Sequence, residues 1–382
     1  MAGSGERSGL VALAAIFLRL GLTAFGGPAG HIATMREEFV RRRAWLDDPT
    51  FVDLIGAANL IPGPTSTELA MHIGHRRAGR AGLVVAGLAF LLPAVVIVGI
   101  LAWFYVEHGR RPEVGALLSG IAPVVVAIVA HAGWSIARAT LRGALQAALL
   151  VGAVVAVLAG LSEIVVLLGS GILAVVIRVG LGSGRAALAV GGWTWSTTGA
   201  VAATVVVATP LLILGAFLKI GAVLFGSGYV LVALLRSELV DGLGWITEAQ
   251  LIDAVAVGQA TPGPLFSTAT FIGYVVGGPV GAVAATVGVF LPAFVAVALS
   301  IPILHRLRDD VRARAFLDGV SAAAIGLLGV VAVQLAVASL RDGVGVATAV
   351  VAFAWLLLGA GTGRLIAAGA AVGLIGLLLA PA

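Results

Sequence analysis

The chain has 382 residues, of which 60% are hydrophobic and 11% are charged, whereas an ordinary soluble domain carries about 25% charged residues. Its formal charge of +5 comes from Lys and Arg in short segments between apolar runs, which favours membrane orientation over nucleic-acid binding. The absence of cysteine excludes disulfides and thiolate metal sites. Apolar stretches at residues 82–105, 114–136 and 279–304 are long enough to cross about 30 Å of hydrocarbon. The sequence therefore predicts an all-α integral membrane protein.

The two halves of the chain are related by a shift of 200 positions. Residues 17–69 and 217–269 align without a gap and share 14 identities in 53 pairs, including rare types such as Trp45 with Trp245. Further on, Phe90-Leu91-Leu92-Pro93 corresponds to Phe290-Leu291-Pro292 after a one-residue gap. We infer an internal duplication, with repeats at residues 1–181 and 209–382 and with residues 182–208 as a linker or an extra transmembrane segment.

Each half opens with an apolar segment that is interrupted by a Gly-rich turn, Phe25-Gly26-Gly27-Pro28 or Phe225-Gly226-Ser227-Gly228. We therefore expect a broken first helix in each half. Two runs of about a dozen residues follow and meet at Pro62-Gly63-Pro64 or Pro262-Gly263-Pro264. Each run is about 18 Å long at 1.5 Å per residue and cannot cross the bilayer. The pattern predicts re-entrant hairpins whose Pro-Gly-Pro tips lie inside the membrane.

Charge distribution predicts that the two repeats have inverted topology. Basic residues flank the first hairpin, whereas the basic cluster of the second half lies one helix later, so the positive-inside rule orients the halves oppositely. The residues concerned are Arg41, Arg42, Arg43, Arg76, Arg77 and Arg80 in the first half and Arg306, Arg308, Arg312 and Arg314 in the second.

Inversion requires an odd number of crossings per repeat, and two arrangements satisfy this requirement. Either the broken first helix crosses and residues 182–208 are a linker, or the first helix is re-entrant and that stretch crosses. We favour the first arrangement, because Thr209-Pro210 has the form of an N-cap followed by proline at the first helical position.

The Pro-Gly-Pro motifs each lead into a half-helix with hydroxyl side chains in or near its first turn. A helix N-terminus there directs N–H groups and the positive end of the helix dipole into the membrane interior, which suits an anion. Four converging half-helix ends are the architecture expected of an inverted-repeat transporter; the alternative is that Pro and Gly only kink packed helices. The candidate substrate-binding residues are Gly26, Gly27, Asn59, Pro62, Gly63, Pro64, Thr65, Ser66, Gly226, Ser227, Gly228, Gln259, Pro262, Gly263, Pro264 and Ser267.

Two further candidates, Arg19 and Lys219, lie within the apolar opening segments. They are expected either to balance an anionic substrate or to extend to the membrane interface. The candidate ion-pair or coupling residues are Arg36, Glu38, Asp53, Arg236, Glu238 and Asp253. We expect each arginine to pair with the glutamate two positions on, and each aspartate to join the same arginine or to carry protons.

The sequence lacks the motifs of common enzymes and metal sites. It has no Gly-Lys-Ser/Thr phosphate loop, no His-Glu-x-x-His, no nucleophile elbow and no metal-ligand spacing. We therefore expect no cofactor, no metal and no enzymatic activity, which leaves a secondary carrier or a channel.

Four segments, Arg19 to Ile32, Arg43-Ala44-Trp45-Leu46, Ile61-Pro62-Gly63-Pro64 and Thr261-Pro262-Gly263-Pro264-Leu265, resemble the chromate ion transporter family in its long, two-domain form. The resemblance covers both halves. It implies a multi-pass carrier of the prokaryotic inner membrane that exports chromate and confers chromate resistance, with sulfate as the dianion of similar shape.

The expected partners are an oxyanion and the lipid bilayer, and homodimer formation is left open. The alternative function is a transporter or channel for another anion such as sulfate. Membrane potential alone can drive outward movement of a dianion, so proton exchange through Glu38, Asp53 or Glu68 is not required.

Overall fold

The protein is almost entirely helical. A computed structural model describes residues 9–24, 27–109, 111–141, 143–180, 207–224, 230–303 and 310–379. In these residues there are α-helices with short 3₁₀ and π-helical segments and no β-strand, so the all-α prediction is confirmed. Five helices are long and apolar enough to cross a membrane. Most of the predicted linker, residues 182–206, lies outside the described residues.

The helices follow the same order in both halves. The first half contains α1 (Leu10–Thr23), α2 (Gly27–Arg36), α3 (Asp48–Ala58), α4 (Thr65–His108), α5 (Pro112–Thr140), α6 (Ala144–Leu158) and α7 (Glu163–Val175). The second contains α8 (Pro210–Val223), α9 (Val230–Leu235), α10 (Glu248–Ala260), α11 (Thr268–Ser300), α12 (Val311–Ser339), α13 (Gly343–Leu357) and α14 (Thr362–Leu379). Short π-helical turns extend α2, α7 and α9, and a 3₁₀ turn precedes α11.

The opening helices α1 and α8 are too short to cross a bilayer alone. Each has 14 residues, or about 21 Å at 1.5 Å per residue. The predicted start of α8 is confirmed: the Thr209 side chain accepts a hydrogen bond from the Leu212 N–H, and Pro210 occupies the first turn. Both helices end at a residue with extended backbone, Ala24 or Leu224. The first helix of each half thus stops where the Gly-rich segment begins.

A hairpin of two short arms follows in each half. Its first arm is α3 or α10, with 11 and 13 residues. The Asp47 side chain caps α3 by accepting a hydrogen bond from the Thr50 N–H at 3.0 Å, and Thr247 with Gln250 forms a capping box at the start of α10. After the Pro-Gly-Pro tip, the second arm is the opening part of α4 or α11.

Both long helices reverse direction sharply after the second arm. The backbone leaves the helical region at Ala78-Gly79 and at Gly277-Gly278, and the second residue of each pair has a φ of +62°. Only glycine adopts this conformation without steric cost. After each reversal, the second arm of the hairpin packs against the next part of the same long helix. The two segments meet at a pair of glycines, where a Cβ on either glycine would overlap the carbonyl oxygen of the other. These pairs are Gly74 with Gly82 and Gly273 with Gly281.

The two ends of the first hairpin lie together. The guanidinium carbon of Arg77, at the end of the second arm, lies 4.2 Å from the centroid of the Trp45 ring, just before the first arm. Arg43 contacts the same ring at 5.4 Å. The Pro-Gly-Pro tip is therefore at the far end of the hairpin, about 18 Å away for arms of this length.

The spans after the reversals pack side by side across the boundary between the halves. A Cβ at Gly87 would lie 2.6 Å from the Phe294 ring, while Ile100 and Trp103 line the same groove as Val283. Residue numbers rise along one helix as they fall along the other, so α4 and α11 are antiparallel.

The outer faces of α4 and α11 are apolar along their length. Exposed hydrophobic side chains recur every three or four positions, at Val84, Leu88, Leu92, Val96 and Ile100 on α4 and at Val280, Val283, Val287, Leu291, Val295 and Leu299 on α11. An extensive apolar surface of this kind is suited to contact with lipid.

The later helices of each half pack closely through small residues. Gly120 on α5 meets Gly373 on α14 with the backbones in contact, and Gly319 on α12 lies against the Ser170 carbonyl of α7. Close backbone approach at small residues is typical of helix packing in membranes.

Candidate anion-binding site

Each Pro-Gly-Pro tip is docked onto the broken first helix of the other half. The Gly63 N–H donates a hydrogen bond to the Leu224 carbonyl oxygen at 2.8 Å, and the Gly263 N–H donates to the Ala24 carbonyl oxygen at 3.1 Å. The two glycines have φ values of +142° and +105°. Each half therefore places its tip at the end of the first helix of the other half.

The tips also pack against the long helices of the opposite halves. A Cβ at Gly63 would lie 2.6 Å from the Cβ of Ala293, and a Cβ at Gly263 would lie 2.6 Å from the Cβ of Ala94. Both alanines directly follow a proline within the helix, Pro93 or Pro292. No side chain fits at either tip, so glycine is required by space as well as by backbone conformation.

A buried row of hydroxyls begins at the first tip. Thr65, Ser66 and Thr67 are all buried, and the Thr65 hydroxyl donates to the Asn59 amide oxygen at 3.3 Å. The N–H groups of Thr67 and Glu68 bond to the Pro64 carbonyl. The N–H groups of Thr65 and Ser66 lead the helix and have no partner within it, so they are available to an anion together with the hydroxyls.

The second tip leads into a 3₁₀ turn rather than directly into an α-helix. The Ser267 N–H bonds to the Pro264 carbonyl at 3.0 Å, which closes this turn. Ser267 and Thr268 are completely buried. Pro262 and Pro264 are buried with them, so this tip offers hydroxyls in a similar enclosed setting.

Several buried polar atoms near the two tips have no hydrogen-bond partner among the described residues. They are Thr67 Oγ1, both Glu68 carboxylate oxygens and His72 Nε2 in the first half, and Gln259 Nε2, Ser267 Oγ and Thr268 Oγ1 in the second. Buried polar groups are nearly always satisfied in folded proteins. A cluster of unsatisfied ones at matched positions therefore indicates a place that a polar ligand or water occupies.

A cavity of about 510 Å³ lies beside the first tip. Asn59 and Thr65 form part of its wall, together with Pro28. The opposite wall carries an ion pair between the halves, in which Arg178 Nη1 lies 2.6 Å from Asp318 Oδ2. The cavity thus connects the predicted site to partly exposed charged residues, which the sequence did not single out.

The two cations of the opening helices pair with glutamates. Arg19 Nη2 lies 2.6 Å from Glu38 Oε1, and Lys219 Nζ lies 2.5 Å from Glu238 Oε2. Arg43 shares the Glu38 carboxylate at 2.7 Å. The cationic side chains are half exposed, 54% for Arg19 and 51% for Lys219. Each cation joins the first helix to the turn beyond its break, because the chain folds back on itself there.

The predicted partners of Arg36 and Arg236 were wrong. Arg36 pairs with Asp48 at 2.7 Å, not with Glu38. Arg236 pairs with Asp241 and Glu248 at 2.6 and 3.1 Å, not with Glu238. The acidic residue that begins the next helix, Asp48 or Glu248, comes closer than one two positions along the same helix, because residues i and i+2 point to different faces.

The two hairpin aspartates occupy different settings. The Tyr105 hydroxyl donates to Asp253 Oδ2 at 2.8 Å, which joins the end of α4 to the second hairpin. The expected pairing of Asp253 with Arg236 is therefore not seen. Asp53 is partly exposed on α3.

Comparison with known sequences identifies the family. The sequence model described as Chromate transporter matches residues 11–175 and 211–377. The chain belongs to the chromate transporter family. A chromate transport protein of Pseudomonas aeruginosa is 36% identical over 90% of this chain and 87% of its own length. A chromate transport protein of Cupriavidus metallidurans is 32% identical over 85% and 82%, and an uncharacterised transporter of Methanocaldococcus jannaschii is 28% identical over 84% and 83%. No solved structure matches.

In this family member Asn59 and Thr65 lie together at the first tip, and Ser267 lies at the second tip. Arg19 and Lys219 are engaged in ion pairs. Gly27 starts α2 with a φ of +69°. Gly26, Gly226, Ser227 and Gly228 lie outside the described residues.

Sequence reasoning missed the residues on which the tips rest. The carbonyls of Ala24 and Leu224 and the methyl groups of Ala94 and Ala293 define the docking surfaces. A signal for the alanines was present, since each follows the proline of the duplicated Phe-Leu-Pro segment. That signal indicates a repeat but not a contact.

Proposed function

We propose that this protein is a secondary carrier that moves chromate, or a closely related dianion, out of the cytoplasm across the inner membrane, conferring chromate resistance. The anion binds where the Pro-Gly-Pro tips meet the broken first helices. The observation that supports the proposal is the reciprocal docking of Gly63 on Leu224 and of Gly263 on Ala24, in which each tip, with its buried hydroxyls, lies against the end of the opposite first helix. The names of the relatives supply the chromate assignment.

Inverted repeats and re-entrant hairpins are part of this proposal. The antiparallel course of α4 and α11 supports inversion, because corresponding spans of inverted repeats run in opposite directions. The contact between Arg77 and Trp45 supports a re-entrant hairpin, since it holds both ends of a hairpin too short to cross on one side. Basic residues at both ends orient that side toward the cytoplasm.

The membrane potential supports the proposed outward direction of transport. Outward movement of a dianion through a membrane that is negative inside gains about 4.6 kcal/mol per 100 mV, twice the value for a single charge. That energy sustains a concentration ratio of about three decades. The membrane potential is therefore a sufficient driving force.

Equilibrium dialysis of labelled chromate against the purified protein tests the site. Thr65→Val removes a hydroxyl and keeps the N–H, whereas Thr65→Pro removes both at a position where the first turn of a helix tolerates proline. A hydrogen bond to a charged group contributes about 1.5–3 kcal/mol, so each lost bond should weaken binding roughly 10- to 100-fold, and Thr65→Pro should bind more weakly than Thr65→Val.

The matched control is Ser119→Ala, which removes a hydroxyl that donates to the Ala116 carbonyl on the exposed face of α5. Chromate affinity unchanged in both Thr65 variants would contradict the proposed site. Competition with sulfate decides the substrate: if sulfate binds and chromate does not, the anion site stands and the alternative anion replaces chromate.

A further inference from the structure

Glu68 lies at the first Pro-Gly-Pro tip. It is in the first turn of α4, and a Cβ at Gly63 would lie 2.5 Å from its Oε1 atom, so the carboxyl group rests against the tip itself. The side chain is completely buried. It is within one helical turn of Thr65 and Ser66, whose N–H groups are the ones proposed to hold the anion.

No cation among the described residues pairs with this carboxyl group. Both of its oxygens lack a hydrogen-bond partner in the described part of the chain. On the same helix, His72 is buried one turn further on and its Nε2 is also without such a partner. Because no cation offsets the cost of burying a charge here, the protonation of this group responds to any charge placed beside it.

The ionisable groups on the helices packed against α4 are engaged elsewhere or lie at other positions. Arg19 pairs with Glu38, Arg36 with Asp48, and Glu248 with Arg236. Tyr105 donates to Asp253, and His31 Nε2 lies 3.1 Å from the Ala24 carbonyl oxygen. Asp53 lies partly exposed on α3, and the only ionisable side chain of α11 is Tyr274. The protonation of Glu68 therefore depends on whether an anion occupies the tip.

We propose that Glu68 is the proton-binding residue of this carrier and takes up a proton when a dianion binds at the first tip. The proposal rests on the function proposed above. An empty helix N-terminus stabilises an ionised carboxylate in its first turn. A dianion at the same N-terminus takes over that stabilisation and repels a second negative charge across a medium of low dielectric constant. Anion binding and protonation of Glu68 thus favour each other.

The asymmetry between the repeats fixes the number of protons. The position that corresponds to Glu68 in the second half is Thr268, which has a hydroxyl and no ionisable group. The first tip has one carboxyl group and the second tip has none, so this site takes up at most one proton for each dianion bound.

Calorimetric titration of chromate into the purified protein, at alkaline pH and in two buffers of different ionisation enthalpy, counts the protons taken up on binding. The wild type should take up protons, to a limit of one per anion. Its affinity should fall by up to tenfold per pH unit as Glu68 ionises in the empty protein. Glu68→Gln, which resembles the protonated side chain, should bind chromate with no proton uptake and no such pH dependence.

Two further variants complete the design. Glu68→Thr copies the second repeat and should also lose proton uptake. Glu113→Gln changes an exposed first-turn glutamate of α5 and should behave like the wild type. Equal proton uptake in the wild type and Glu68→Gln would overturn the proposal, as would chromate binding by the wild type without proton uptake.

Failure of the proposed function gives a different result, namely no binding of either chromate or sulfate. In that case infrared spectroscopy of the protein alone decides the role of Glu68. A carboxylic acid band that appears as the pH is lowered in the wild type, but not in Glu68→Gln, supports proton binding by this residue, and its absence from the wild type at every pH refutes it.

Discussion

Replacing Gly263 by alanine should destabilise the protein through two separable effects. The residue has a φ of +105°, a conformation that costs an L-residue about 1–2 kcal/mol. The new Cβ would also lie 2.6 Å from the Cβ of Ala94, and overpacking of this kind costs about 1–3 kcal/mol. We expect a total loss of about 2–5 kcal/mol.

A second substitution separates the two effects. Ala94→Gly removes the methyl group that the new Cβ meets but leaves the backbone strain, so Gly263→Ala combined with Ala94→Gly should recover about 1–3 kcal/mol. The pseudo-symmetric control is Ala293→Gly, which faces Gly63 instead. It should not rescue Gly263→Ala, and it should rescue Gly63→Ala in part, because a Cβ at Gly63 also lies 2.5 Å from Glu68 Oε1.

Thermal unfolding in detergent is measured as the fraction of protein that stays monodisperse after heating. The four double variants combine Gly263→Ala or Gly63→Ala with Ala94→Gly or Ala293→Gly. The docking account predicts rescue only within the pairs 263 with 94 and 63 with 293. Equal rescue by both glycine substitutions, or rescue by neither, would show that the tips do not rest on these alanines and would refute the reasoning.

Three further predictions concern the contacts around the site. Lys219→Ala leaves Glu238 without its partner and should lower chromate transport in a vesicle uptake assay. Adding Glu238→Gln should restore transport, with a stability change of at most about 1 kcal/mol. If Lys219 instead held the substrate, the second substitution would not restore transport. Tyr105→Phe removes the hydroxyl that donates to Asp253 and should lower thermal stability by about 1–3 kcal/mol, whereas an unchanged melting temperature would argue against this contact. Gly79→Ala has open space for its Cβ, so the protein should lose only the stability that corresponds to the strain of a φ of +62°, about 1–2 kcal/mol. A larger fall in melting temperature for Gly79→Ala than for Gly263→Ala would be inconsistent with the packing described.

Local features of the fold could be predicted from the sequence because their causes are local. Proline and glycine determine where the arms meet at residues 62–64 and 262–264, and Thr209-Pro210 specifies the start of α8. The duplication is visible for a similar reason, since matched Trp, Phe and Pro residues are rare in this composition. Apolar length alone predicts the long helices.

The contacts between the halves could not be predicted, because they depend on how distant segments dock. A carbonyl at the end of α8 has no side-chain signature, so nothing in the sequence connects Leu224 with Gly63. The ion pair of Arg19 with Glu38 has the same origin. A broken helix places residue i close to residue i+19, whereas periodicity in a continuous helix relates only residues three or four positions apart.

The predicted cationic site illustrates the consequence. Charged residues in apolar segments indicate a function or a partner, and the sequence does not reveal which. The glutamates that neutralise Arg19 and Lys219 lie beyond the helix breaks. The proposed binding groups are instead helix N-termini and hydroxyls, which carry no formal charge and give a weaker sequence signal.

Accumulation of labelled chromate by everted membrane vesicles tests the central claim most directly. With an imposed inside-positive potential, vesicles that contain this protein should concentrate chromate, and collapse of the potential by an ionophore should release it. Vesicles containing Thr65→Pro at equal abundance should show little accumulation. Chromate uptake that is independent of both the potential and Thr65 would contradict a potential-driven carrier that binds its anion at the Pro-Gly-Pro tips.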